Sequence, residues 1–143
     1  MKEAWIQLLT AFVSTLGFTM VFGLRRRYIF ASSLGGLLTW GVYLLADLWR
    51  GHLFLSCLLA AAFAVIYAEV LARRLKTPAT LFVVPAILPL VPGSALYYTM
   101  SSIVHGDIAA AKSYGSQTLT IALAIAAGIS VVMALRELQM KKG

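Results

Sequence analysis

Pro85-Ala-Ile-Leu-Pro-Leu-Val-Pro-Gly-Ser94 sits within an apolar run from about Thr77 to Val104. Three prolines and a glycine fall within nine residues. A regular helix does not tolerate that density, because each internal proline lacks a backbone donor and pushes away the carbonyl four residues earlier. The pattern predicts freed acceptors at Leu81, Pro85 and Leu88. A free carbonyl in hydrocarbon costs several kcal/mol, so such a break persists only inside protein or beside a wet cavity. Broken membrane helices of this kind hold substrates in transporters.

The surroundings are those of a membrane chain. Of 143 residues, 61% are hydrophobic and 12% charged, with a mean hydropathy of +0.88. A soluble domain carries about 25% charged residues. The net charge of +7 resides in short clusters between apolar runs. That pattern points to membrane lipids with anionic headgroups, not to nucleic acid. Cys57 is the only cysteine, and His52 and His105 lack metal-ligand spacing. No cofactor or metal motif, nucleophile elbow or phosphate-binding loop is present, and the chain reads as a non-enzyme.

The predicted fold class is an all-α integral membrane protein with five transmembrane helices, the fourth broken at the Pro/Gly cluster. The apolar runs lie at about 4–24, 29–48, 53–72, 78–104 and 117–135. Each is near the roughly 20 residues that cross a bilayer. They form a single membrane domain, with the N-terminal run read as a retained span. The stretch from His105-Gly-Asp107 to Ser116 reads as a short polar loop. One side of the membrane receives Arg25, Arg26, Arg27, Arg73, Arg74, Lys76, Arg136, Lys141 and Lys142. The other receives Lys2, Arg50 and Lys112. The basic side faces the cytoplasm, so the N-terminus is expected outside and the C-terminus inside. Trp5, Trp49 and Tyr28 then fall at the interfaces.

Small residues recur every fourth position: Ser56, Ala60, Ala64 and Ala68 in the third span, and Thr118, Ala122, Ala126, Ser130 and Ala134 in the fifth. Ser32 and Gly36 repeat the spacing in the second. Such stripes serve close helix packing, within the chain or against another subunit. Five spans make a thin bundle, and an odd count suits one half of an inverted-repeat transporter.

If helix resumes after Gly93, its first N–H groups lack partners and its dipole is positive there. A carboxylate fits such donors, with Ser94 as cap or ligand. The candidate substrate-binding residues are therefore Pro85, Pro89, Pro92, Gly93, Ser94, Tyr97 and Tyr98. A proline-kinked span without such a role is the competing reading. Glu69 and Asp47 are candidates for proton coupling. Glu69 also has Arg73 four residues on, in the order that favours an ion pair. Asp47 lies beside Arg50 at an interface, where plain solvation suffices. Thr39, Trp40, Ser101 and Ser102 are polar or amphipathic enough to line a cavity.

The stretch Val84 to Ser94, followed by Tyr97 and Met100, resembles the signature of the threonine/serine exporter family, and so does Gly17-Phe-Thr-Met-Val-Phe22 before its basic loop. The chain is similar to the small split subunit that corresponds to the second membrane half. The resemblance implies export of small amino acids driven by the proton motive force. It implies a separate larger subunit as partner and the cytoplasmic membrane of a prokaryote as location. It also leaves room for a dicarboxylate such as succinate. Pro85, Pro89, Pro92 and Gly93 are the positions that match. A non-transporting accessory or scaffold subunit is the alternative from another class.

Overall fold

The computed structural model describes residues 2–141. Six α-helices run in chain order: α1 (Lys2–Val21), α2 (Arg26–Arg50), α3 (Leu53–Leu75), α4 (Thr80–Ile87), α5 (Gly93–Val104) and α6 (Ile108–Met140). A single 3-10 turn, Leu88–Leu90, follows α4. No strand occurs among the described residues.

The long helices end where the sequence supplies left-handed backbone. Gly51 closes α2 at φ 61°, and its N–H donates to the Asp47 carbonyl at 2.8 Å. Lys76 closes α3 at φ 52° without glycine's freedom, which places a cation at a sharp corner. Thr77 N–H then reaches back to the Ala72 carbonyl at 3.1 Å. These carbonyls would otherwise be orphans of the last helical turn.

α3 is the centre of the bundle. Ser56, Ala60, Ala64 and Ala68, the predicted stripe, are all buried. Helices in lipid associate by close contact of small residues, since lipid tails already satisfy apolar surface. Gly36 of α2 lies directly against the Thr15 side chain of α1. Gly35 faces Ala86 of α4 and the Tyr67 ring. The Tyr67 hydroxyl donates to the Ala31 carbonyl at 2.8 Å, joining α3 to α2. Phe82 of α4 is fully buried and meets the Tyr28 ring edge-on at 5.9 Å. The buried hydroxyls of Thr15, Thr19, Ser33 and Ser56 donate to carbonyls of their own helices.

α6 packs on α3 by a face other than its small-residue stripe, which leaves that stripe from Ala122 onward free of packing within the chain. Ala122, Ala126, Ser130 and Ala134 are exposed. Ile121, Ala124 and Gly128 turn inward instead. Gly128 is so close that an added Cβ would stand 2.6 Å from the Leu58 carbonyl and 3.0 Å from Ala61 Cβ. Cys57 clusters with Ala124, Ala61 meets Gly128, and Glu69 bonds Arg136; each pair is 67 residues apart. A constant offset means that α3 and α6 run in the same direction. α4 and α5 together must therefore cross once in the opposite sense, as a broken span bent by 51°.

The predicted loop from His105 to Ser116 is corrected to a turn of three residues. Asp107 is the reason: its side-chain oxygen accepts the Ala110 N–H at 3.0 Å and starts α6. Three alanines follow with high helix propensity. Ser116 and Thr118 return their hydroxyls to the carbonyls of Ser113 and Tyr114. α6 thereby gains length at its start, and α5 packs there. Gly115 admits Thr99, and the Tyr98 and Tyr114 rings lie 5.3 Å apart.

The basic clusters converge on one end. Arg25 shares a pocket with Thr77, and Arg73, Lys76 and Arg136 share another with the same threonine. Lys142 and the side chains of Lys2 and Arg50 lie outside the described residues.

Candidate functional site

The proline cluster divides its work among three positions. Pro85 lies inside α4 and is fully buried. Pro89 sits in the 3-10 turn, and Pro92 precedes α5 as its N-cap residue. Leu90 between them is buried against Ala60 and Ala61, with Trp40, Tyr43 and Ile125 around it. The break is thus anchored at the middle of the bundle by one leucine and sealed by alanines.

Two local expectations are corrected. The Leu88 carbonyl is not free, since the Val91 N–H donates to it at 3.1 Å across the 3-10 turn. Tightening to an i→i+3 bond recovers the acceptor that Pro92 cannot serve. Ser94 does not cap α5 either; no side-chain cap bond is made there, and Ser94 is exposed. Gly93 N–H is engaged by the Val91 carbonyl at 2.8 Å. Nothing lies within 4 Å of a Cβ built on Gly93, so it faces open space.

Beside the break is a cleft of about 280 Å³ lined by Ile6, Gln7, Thr10, Ala11 and Ser14 of α1, Trp40 of α2, and Pro89. Gln7, Thr10 and Ser14 follow helical spacing along one wall; the Thr10 hydroxyl donates to the Ile6 carbonyl at 2.7 Å and so offers the cleft an acceptor. The Trp40 indole N–H is buried and has no partner among the described residues. The Thr39 hydroxyl, one residue earlier, is buried and equally unpartnered. An orphan donor at a cleft wall is costly unless a ligand or water meets it. No charged side chain lines the cleft. Its chemistry is therefore that of a small polar solute held by neutral donors against apolar walls.

The structure brings Pro89 and Trp40 to this cleft and leaves the other predicted residues elsewhere. Gly93, Ser94, Tyr97 and Tyr98 lie on or beside α5, all exposed. The Tyr97 and Tyr98 rings meet edge-on at 5.5 Å. Gln7, Thr10 and Ser14 were missed. Their signal was the polar spacing within an otherwise apolar first span, which the proline cluster overshadowed.

Glu69 is buried near the basic end, and its main partner is not Arg73. Arg136 Nη1 donates to Glu69 Oε1 at 2.9 Å, while Arg73 stays at 3.9 Å and is mostly exposed. The ion pair spans two helices, and only the tertiary offset of α3 and α6 reveals it. Asp47 is exposed in the last turn of α2. Its expected neighbour Arg50 has a side chain outside the described residues. His105 Nδ1 lies 2.8 Å from the Ser101 carbonyl. No cluster of three or more His, Cys, Asp or Glu side chains suited to a metal occurs among the described residues.

No curated protein and no solved structure matches the chain. A family model described as "Threonine/Serine exporter, ThrE" matches residues 7–135. That span takes in the α1 wall of the cleft from Gln7 on, the whole broken span and the α3–α6 contact short of Arg136. On a match of this extent, over a bundle built around an interrupted membrane helix, the chain belongs to the threonine/serine exporter family.

Proposed function

We propose that this chain is one subunit of a secondary exporter of small hydroxy amino acids. It works with a separate, larger membrane subunit of the same family and draws on the proton gradient across a prokaryotic cytoplasmic membrane. The observation that carries the reading is the broken span α4–α5 next to a cleft with an unpartnered neutral donor, the Trp40 indole N–H. Threonine and serine carry a hydroxyl that suits that donor. The α1 wall of the cleft is exposed, and α5 rests on α6 alone among its larger contacts. Both features favour a second membrane half that closes the site, in the inverted arrangement of two-half transporters. In the same reading the basic end faces the cytoplasm.

Roles follow for the residues near the break. Pro89 and Pro92 hold the chain out of α-helix between α4 and α5, and Pro85, inside α4, leaves the turn before the break without one helical hydrogen bond. Gly93, Ser94, Tyr97 and Tyr98 face the partner half and form the opposite wall. Glu69, and Asp47 at the other end, are the acids available to carry a proton.

Efflux of labelled threonine, serine and succinate from loaded cells tests the proposal. Cells express this chain, a candidate larger subunit, or both, with and without a protonophore. The proposal expects threonine or serine efflux with both chains, abolished on uncoupling. Efflux with this chain alone removes the partner, and succinate efflux alone removes the amino-acid substrate. Gly93→Leu enters open space, so the variant is expected to assemble and to lose efflux. Normal efflux by that variant would show that the start of α5 does not form the site.

A further inference from the structure

We propose that the basic end of the α3–α6 pair binds one anionic phospholipid, with its phosphate in a pocket between the helix ends and an acyl chain in the groove beside it. The pocket holds about 460 Å³ and is lined by Glu69, Arg73, Lys76, Thr77 and Arg136, with Pro78 and Ala79 completing it. Three cations face one carboxylate there, and that carboxylate is already occupied by Arg136. The surplus charge is positive.

Two donors in this lining are buried and unpartnered among the described residues. Arg136 gives Nη1 to Glu69, but its Nε has no acceptor. The Thr77 hydroxyl has none either. A guanidinium face, a hydroxyl and a nearby ammonium match the oxygens of a phosphate, and charge-assisted bonds of this type are the strong ones. Lys76 is set over the pocket by its left-handed corner. The first turn of α4 begins at the same place without a side-chain cap, adding partial positive charge.

The second half of the site selects a lipid over a free phosphate. A groove of about 290 Å³ leads away between α3 and α6, with walls of Ile66, Val70, Val132 and Leu135. It shares Glu69, Arg73 and Arg136 with the pocket, so the two adjoin across these side chains. Ile66, Val70 and Leu135 are half exposed, as expected of an apolar wall open to hydrocarbon. A charged head above an apolar channel is the shape of one phospholipid. Glu69 fixes the Arg136 guanidinium through Nη1 and leaves its Nε without an acceptor.

The test is native mass spectrometry of the full chain in detergent, titrated with phosphatidylglycerol or phosphatidylcholine. Phosphatidylglycerol is expected to be retained in preference, at one molecule per chain. Thr77→Val keeps the ion pair and the fold, and Lys76→Asn suits the left-handed corner. Each is expected to weaken retention by about tenfold, the effect of one lost charge-assisted bond. Arg26→Gln removes an equal charge outside the pocket and is expected to leave retention unchanged. Equal loss in Arg26→Gln, or no preference between the two lipids, overturns the site, because diffuse charge would then explain binding. Two further arms separate the sources of phosphate. Inorganic phosphate is expected not to displace the lipid, and Val70→Trp, which fills the groove, is expected to release it. Displacement by inorganic phosphate, or indifference to Val70→Trp, overturns the acyl part of the proposal.

Discussion

Gly128 and Gly17 occupy similar helices and opposite environments. A methyl group at Gly128 would strike the Leu58 carbonyl, which is backbone and cannot swing aside. Gly128→Ala is expected to destabilise the α3–α6 contact by about 1–3 kcal/mol, the usual cost of overpacking. Gly17 has nothing within 4 Å, so Gly17→Ala should stabilise its helix by about 0.5–1 kcal/mol. Thermal melts of the purified chain in detergent check both signs. Thr39 and Trp40 differ in the same instructive way. Thr39→Val removes a hydroxyl with no partner and keeps the shape, so stability is expected to hold. Trp40→Phe keeps the packing on Leu90 and removes the cleft donor. It is expected to raise the KM for labelled threonine efflux by about threefold to tenfold, with the melting midpoint little changed.

Helices α3 and α6 are held by an ion pair at one end and by small residues along their length. Glu69→Gln and Arg136→Gln each strand a partner at a partly screened site, and the double variant removes both charges. The double variant is expected to be more stable than the sum of the single losses predicts, which a double-mutant cycle of melting midpoints reads directly. At this scale the sequence was informative where local chemistry decides. Proline geometry marked the break, and the arginine clusters marked the span ends. The start of α6 is hidden in the sequence because Lys112, Ser113, Gly115 and Ser116 suit a polar loop as well as a helix. Asp107 capping and hydroxyl return to the helix carbonyls decide for the helix. The inward face of α6 was equally hidden. Small residues occupy more than one of its stripes, and only the crossing geometry with α3 selects Ala124 and Gly128. Arg136 as partner of Glu69 required that same geometry.

Across the molecule, the cleft is a product of topology. Gln7 and Pro89 are far apart in the chain and meet because α1, α2 and the break share one side of the bundle. The sequence offered the proline wall and Trp40 but had no means of assigning α1 as their neighbour. The sidedness proposed from the basic end is tested by thiol labelling. Cys57 is 2% exposed and should resist labelling. Arg26→Cys is expected to react with an impermeant maleimide only from the cytoplasmic face, and His105→Cys only from outside. The bent span also has two separate owners. Its first piece, α4, is clasped by α2 and α3, whereas its second piece, α5, packs on α6. α6 has 33 residues and reaches about 50 Å, well beyond a hydrocarbon core of about 30 Å, so it is long enough to extend past the core at its ends. The two pieces join at Val91–Pro92. The span is thus a staple: one leg is set between α2 and α3, and the other rests on the helix that Gly128 and the Glu69–Arg136 pair fasten to α3.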